Sequence, residues 1–139
     1  MIDFNFLTDF SLEDELLYST WLSLIVSSES KLLGELTYVF CDDEYLHKLN
    51  IDYLEHDTLT DIITFDYCEG ALISGDIFIS IERVTENASD FNVPFSEELL
   101  RVMAHGTLHL CGYKDKSDQD VFLMRSKEDE KIKLFHVEQ

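Results

Sequence analysis

Breaks in the chain are rare, and this constrains the fold more than any other feature of the sequence. The 139 residues contain one proline, Pro94, and no Gly/Ser-rich linker, repeat or low-complexity tract. Such a sequence offers no point at which one folding unit would end and another begin. The length is also typical of one domain. We therefore expect a single domain over residues 1–139.

Hydrophobic periodicity along the chain predicts strands and helices in a mixed order. The predicted strands cover residues 2–6, 35–41, 61–67 and 75–80, and the predicted helices cover residues 12–28, 43–54, 81–90, 96–111 and 118–135. This order favours an α+β fold, in which helices pack on one side of a small mixed β-sheet. It does not determine which strands pair.

Polar residues at the predicted helix ends suggest how the helices begin. Ser11 followed by Asp14 resembles a capping box, while Asp42 and Ser96 are the predicted N-caps of the second and fourth helices. The side of the first helix that we expect to be buried consists of Leu12, Leu16, Leu17, Leu24 and Ile25.

The charge balance restricts the possible partners. Ten Lys+Arg against 29 Asp+Glu give a net charge of −19. A surface of this sign repels nucleic acids and anionic membranes at long range. An anionic substrate must therefore be captured by local cations, either a bound metal ion or the basic group Lys114, Lys116, Arg125 and Lys127.

Cysteine usage and the N-terminus indicate the compartment. The three cysteines are far apart and form no CxxC pair, so neither a disulfide framework nor a zinc ribbon is predicted. No positive charge precedes an apolar run at the N-terminus, and no apolar segment is long enough to span a membrane. We expect a cytoplasmic protein with no membrane partner.

The stretch that predicts chemistry contains His105, His109, Gly112 and Asp115. Residues four apart lie on one face of a helix, so both imidazoles can reach one metal ion. Gly112 is a natural helix terminator, after which the chain can turn back and present the Asp115 carboxylate. Two histidines and one carboxylate leave a coordination position for water, which is the catalytic arrangement. We predict a zinc site on a zincin-like helix, with other divalent metals as alternatives.

Chance alone also produces HxxxH pairs, and from the spacing the odds of a metal site are about even. Gly106 favours the site, because a glycine inside a helix costs roughly 1 kcal/mol relative to alanine and so suggests close approach of a backbone or a substrate. The peptidase signature HExxH is absent, since Gly106 and Thr107 follow the first histidine. A thermolysin-like peptidase is therefore disfavoured.

Several other residues are weaker candidates. Asp76 is a candidate to accept a hydrogen bond from the ring of a histidine ligand. A turn residue at the start of a strand is an equally good interpretation. His56 is a possible further ligand or base, whereas His47 and His136 fit surface roles. Asp61 fits a structural role in the neighbouring loop. Cys111 lies on a different helix face and fits a small buried hydrophobe.

The run HGTLHLCGYKD (residues 105–115) resembles the HGxLHLxGYDH signature of the YbeY-type bacterial endoribonucleases. The similarity continues over most of the chain, in segments that match the N-x-x-Y-R, P-T-D-V-L-S-F and G-D-I patterns of that family. Asn50 and Tyr53 match the first pattern, residues 60–65 match the second, and residues 75–77 match the third. Glu98, Leu99, Met124 and Glu128 also fall where the family tends to have these residues.

This resemblance implies a zinc-dependent endoribonuclease specific for single strands. It also implies roles in maturing the 3′ end of small-subunit ribosomal RNA and in ribosome quality control, with the ribosome or ribosomal proteins as partners. Three positions depart from the pattern: Asp115 stands for a third histidine, Leu54 for an arginine and Leu59 for a proline. Asp115 makes the predicted site harder and more anionic, while Leu54 removes a cation that would engage phosphate.

Two other functions compete with this one. The first is hydrolysis of another substrate, such as a peptide, at the same metal site. The second is a metal-binding ribosome assembly factor with little nuclease activity, which the charge of −19 and Leu54 both favour. The oligomeric state is not predicted.

Overall fold

The computed structural model describes residues 1–54, without the side chain of Leu54, and residues 60–137. The sequence positions Leu54 (side chain), His56 and Leu59 therefore lie outside the described residues. The strands and helices follow in the order β1 (Ile2–Phe6), α1 (Glu15–Ser28), β2 (Leu32–Cys41), α2 (Asp43–Leu54), β3 (Ile62–Asp66), β4 (Leu72–Ser80), α3 (Ile81–Phe91), α4 (Phe95–Leu110) and α5 (Asp118–Val137). In this described part of the chain, no helix is long and apolar enough to cross a membrane.

The four strands form one mixed sheet in the order β1-β2-β4-β3. Strand β2 lies between β1 and β4 and runs parallel to both, whereas β3 is antiparallel to β4. The predicted class, a small single-domain α+β fold with a mixed sheet, is confirmed. The strand order depends on contacts between distant residues, so local periodicity could not supply it.

Helices cover both faces of the sheet, which corrects the expectation of one covered face. Ile62 of β3 joins the large core under α4, while its neighbour Ile63 packs in a smaller cluster with Leu46 of α2. Successive strand residues point to opposite faces. Strand β3 is therefore apolar on both sides, and α2 covers the face opposite α4.

The first helix begins later than expected, and its predicted buried side is right in part. Its N-cap is Asp14, whose carboxylate accepts from the Leu17 N–H at 3.2 Å, so Ser11 is not the cap. Leu12 and Ile25 are buried as expected, whereas Leu16 is 74% exposed. The prediction missed the buried Trp21, whose indole N–H donates to the Lys131 carbonyl oxygen at 2.7 Å. This contact with α5 fixes the rotation of α1, and no local pattern encodes it.

Two other caps have different outcomes. Asp42 accepts from the Tyr45 N–H at 2.8 Å, so the predicted cap of α2 is confirmed. Helix α4 starts one residue earlier than expected with Pro94 at the N-cap, so Ser96 lies inside the first turn. Proline at this point fits, because a helix start needs no backbone N–H donor there.

Candidate active site

Helix α4 carries the histidine pair and packs closely on the sheet. A Cβ atom added at Gly106 would lie 2.7 Å from Ile62 Cδ1 and 3.0 Å from Ile77 Cγ2. Gly106 therefore allows α4 to approach the side chains of β3 and β4. The prediction of a close approach at this glycine is right, but the neighbours are sheet side chains and not a backbone or a substrate.

The turn after α4 forms as predicted. Gly112 has a φ of 113°, a conformation that residues with a side chain rarely adopt. Its N–H donates to the His109 carbonyl oxygen at 3.0 Å, and the Tyr113 N–H donates to the Leu108 carbonyl oxygen at 3.1 Å. These bonds end the helix and turn the chain back, which brings Asp115 toward His105.

All three predicted ligands line one cavity of about 800 Å³. Its size is within the range of small-molecule and cofactor sites. The remaining lining comes from the start of β3, from α3 and α5, and from residues near both ends of α4. The cavity is lined by Asn50, Thr60, Asp61, Ile62, Ile63, Thr64, Asn87, Phe91, Glu98, Arg101, Val102, His105, His109, Asp115, Lys116, Arg125 and Glu128.

His105 is held between two carboxylates. Its Nδ1 lies 2.7 Å from Glu128 Oε2, and its Nε2 lies 3.2 Å from Asp115 Oδ2. Burial by itself lowers the pKa of His105, but the hydrogen bond to Glu128 and the negative charges of Glu128, Asp115 and Asp61 together outweigh burial, so the pKa is raised. A carboxylate at Nδ1 holds a proton there and leaves Nε2 facing Asp115 in the cavity.

His109 is oriented in the same way by a backbone group. Its Nδ1 lies 3.1 Å from the carbonyl oxygen of Tyr113. A carbonyl oxygen only accepts hydrogen bonds, so Nδ1 is the donor and Nε2 is left with its lone pair. Metal-bound histidines commonly have this pattern, in which the far ring nitrogen donates to an acceptor.

The residue that sequence reasoning left without a role is Glu128. Its carboxylate is buried and joins His105 on α4 to Arg101, whose Nη1 lies 2.9 Å from Glu128 Oε1. Arg101 also binds Asp129 at 2.7 Å. The only sequence signal was the match of Glu128 to the family pattern. Its partner His105 is 23 residues away on another helix, so no local spacing connects the two.

The donor set fits a divalent metal ion, although its atoms are not gathered around one point. Among residues 1–54 and 60–137, no three His, Cys, Asp or Glu side chains are placed so that they could hold an ion. The chemistry nevertheless suits zinc, since both imidazoles have Nδ1 engaged and a carboxylate lies beside one Nε2. The direct contact between His105 and Asp115 would have to open to admit an ion.

The other candidates lie at various distances from this cavity. Asp61 lines it, and burial raises the pKa of its carboxyl group. Asp76 instead accepts from the Tyr67 hydroxyl at 3.3 Å and is not among the described residues that line the cavity. His136 contacts Glu97 at 2.8 Å. Cys111 is a buried residue as expected, and burial raises the pKa of its thiol to about 11.

Together, these features define a class of protein: a small α+β domain in which two histidines of a largely buried helix face a cleft that carries both carboxylates and cations. Sequence comparison identifies the family. The family model described as "Endoribonuclease YbeY" matches residues 8–136. The chain belongs to the endoribonuclease YbeY family.

Similar proteins agree with this assignment over the full length. A Flavobacterium johnsoniae protein named "Endoribonuclease YbeY" is 67% identical over 139 residues, which are 100% of both chains. A Flavobacterium psychrophilum protein of the same name is 63% identical over 100% of this chain and 99% of its own. The solution structure of a Thermotoga maritima protein is 27% identical, with a TM-score of 0.68 over 99% of this chain and 91% of that one.

Proposed function

We propose that this protein is a metal-dependent endoribonuclease that cuts single-stranded RNA during maturation of small-subunit ribosomal RNA. The observation that carries the proposal is the histidine pair, in which both Nδ1 atoms bind acceptors and both rings line one cavity. Membership of the endoribonuclease YbeY family supports the choice of RNA as substrate. The proposal treats residues 1–139 as one catalytic domain that works in the cytoplasm.

The proposed metal ligands are His105, His109 and Asp115, with zinc as the preferred ion. The chemistry that such an ion supplies when bound is the activation of water and the polarisation of a phosphoryl oxygen. Glu128 keeps the proton of His105 on Nδ1, and the Tyr113 carbonyl oxygen does the same for His109. Asp76 and His56 remain candidates for a supporting role.

Two cations of the cavity suit the phosphates of RNA. Arg125 and Lys116 line the cavity, and neither makes a hydrogen bond or ion pair with any residue that the structure describes. Arg101 also lines it, but Glu128 and Asp129 occupy its guanidinium. We propose that Arg125 and Lys116 supply the attraction for phosphate that Leu54 cannot.

A second candidate is a metal-binding ribosome assembly or quality-control factor with little nuclease activity. The net charge of −19 favours it, because the whole protein repels RNA at long range. Under this alternative the same cavity would bind metal, and ribosomal proteins would be the main partners. A peptide hydrolase is less favoured, since Gly106 stands where HExxH peptidases have their glutamate.

A nuclease assay on metal-defined protein tests the proposal. We expect cleavage of single-stranded RNA, slower cleavage of a duplex with the same sequence, and loss of activity after chelation that added zinc restores. Metal binding with no cleavage of any RNA would favour the assembly factor. Peptide hydrolysis in place of RNA cleavage would contradict an endoribonuclease.

A further inference from the structure

An exposed aromatic ring lies in the cavity. Phe91 is 59% exposed, lines the cavity, and makes no aromatic ring contact with any other described side chain. It is also not among the side chains packed on the large core. Single exposed apolar side chains are common on protein surfaces, so exposure alone does not indicate a role. The place of the ring among the cavity residues, together with the two histidines, is what indicates contact with a ligand.

The backbone fixes the position of this ring. Phe91 is the last residue of α3, and the next residue, Asn92, caps the helix with a left-handed φ of 57°. The Val93 N–H then donates to the Ala88 carbonyl oxygen at 3.0 Å. This cap holds the end of α3 in place, so the ring is presented to the cavity without a loss of backbone freedom on binding.

Phe91 is on α3 and Arg125 is on α5, and both line the cavity together with the two histidines of α4. Helix α4 packs against both α3 and α5, and the cavity runs across all three. A chain bound over His105 and His109 can therefore meet an aromatic ring from α3 and a guanidinium from α5. Single-stranded nucleic acids are bound by this combination, in which bases stack on aromatic rings and cations contact the backbone.

We propose that Phe91 stacks on an unpaired base of the RNA substrate and that Arg125 contacts a phosphate of the same strand. This inference rests on the proposed function and deepens it, because it assigns the preference for single strands to a residue. A paired base in a duplex is covered on both faces by its neighbours and cannot stack on Phe91. The metal ligands alone do not supply that discrimination.

The chain offers a direct fluorescence test. Its one tryptophan, Trp21, is 1% exposed and gives a constant background. In Phe91→Trp the new indole would be quenched when a base stacks on it. The matched control is Phe122→Trp, since Phe122 is 78% exposed on α5 and is not among the described residues that line the cavity. The probe is a short single-stranded RNA, and the quenching is followed by stopped flow so that it is read before the RNA is cleaved.

We expect saturable quenching in Phe91→Trp, none in Phe122→Trp, and much less with a duplex of the same sequence. Phe91→Ala should weaken binding of the single strand roughly 5- to 150-fold, which is the usual range for losing one base stack. Arg125→Ala should weaken binding and reduce the slope of log affinity against log salt by about one, and Arg125→Lys should restore part of both. Thermal melting checks that each variant is folded.

The outcomes separate this inference from the proposed function. If the wild type cleaves RNA while Phe91→Ala binds as tightly as the wild type, the base-stacking site is wrong and the endoribonuclease stands. Equal quenching in both tryptophan variants, or by duplex and single strand, would also overturn the inference. If the wild type neither binds nor cleaves RNA, the proposed function itself fails.

Discussion

Two polar clusters lie side by side along α5, and they differ in whether their members line the cavity. The closed cluster consists of Ser28, Glu29, Tyr113, Lys127 and Lys131. Lys131 is 1% exposed, and its Nζ lies 2.7 Å from Glu29 Oε2 and 2.9 Å from Ser28 Oγ. The second carboxylate oxygen of Glu29 accepts from the Tyr113 hydroxyl at 2.5 Å.

The open cluster consists of Arg101, His105, Asp115 and Glu128. Glu128 is buried, as Lys131 is in the other cluster, but every member of the open cluster lines the cavity, where the Nε2 of His105 faces the exposed Asp115 carboxylate. The closed cluster therefore serves to join α1, α5 and the turn after α4. The open cluster keeps one side available to a ligand, which is the difference between a structural and a functional set of buried charges.

The largest effect should come from Lys131→Met. Lys131→Met removes the buried partner of Glu29 and leaves it with the part-exposed Lys127, whose Nζ lies 3.3 Å from Glu29 Oε2. Breaking a buried ion pair costs about 3–5 kcal/mol, and because Lys127 remains we expect a loss of about 3 kcal/mol in the free energy of unfolding. Urea denaturation measures it. The double variant Glu29→Gln/Lys131→Met, which leaves no lone buried charge between them, should recover a large part of this loss. A loss of less than about 1 kcal/mol, the scale of a surface ion pair, would contradict a structural role for the closed cluster.

The next effect concerns Glu128→Gln in the open cluster. Partners that orient a metal-bound histidine typically change metal affinity or activity about 10- to 100-fold when replaced. We expect a loss of that size in the rate of RNA cleavage. Asp129→Asn is the matched control, since Asp129 is exposed and binds the same Arg101. If both variants cleave RNA at the wild-type rate, Glu128 does not orient His105.

Much of the site was predictable because its signals are local. Helical spacing placed His105 and His109 on one face, and Gly112 ended the helix where the sequence predicted. The role of Glu128 was not predictable, since its partner is on another helix. The predicted buried side of α1 missed Trp21 for the same reason: its indole N–H bonds a residue 110 positions away. Leucine periodicity alone could not reveal that contact.

Tyr113 joins the closed cluster to the histidine His109 of the candidate site, and Tyr113→Phe separates its two roles. The hydroxyl binds Glu29 in the closed cluster, while the backbone carbonyl orients His109. The phenylalanine variant loses only the hydroxyl, so we expect a stability loss of about 1.5 kcal/mol, the lower range for a hydrogen bond to a charged group. The cleavage rate of folded protein should not change. A reduced rate at full stability would mean that the hydroxyl also controls the site.

The smallest effect should appear in the pH dependence of stability. Burial raises the pKa of Glu29, but its hydrogen bonds with Lys131, Tyr113 and Lys127 and the charge of Lys131 together outweigh burial, so the pKa is lowered from 4.5. A lowered pKa means that ionised Glu29 stabilises the fold above about pH 4.5, and that this contribution is lost as the pH falls through the lowered value. Urea denaturation from pH 6 to pH 3 should show a smaller loss of stability in Glu29→Gln than in the wild type. Parallel curves would exclude this contribution.

Metal content tests the central claim, that the open side of the cavity is a catalytic metal site, most directly. Wild-type protein and the His105→Ala/His109→Ala variant would be dialysed against zinc, desalted and analysed for bound metal, with RNA cleavage measured on the same samples. We predict about one zinc ion per chain in the wild type, consistent with one two-histidine, one-carboxylate site, and neither bound metal nor cleavage in the variant. Equal metal content in the two proteins would contradict the claim.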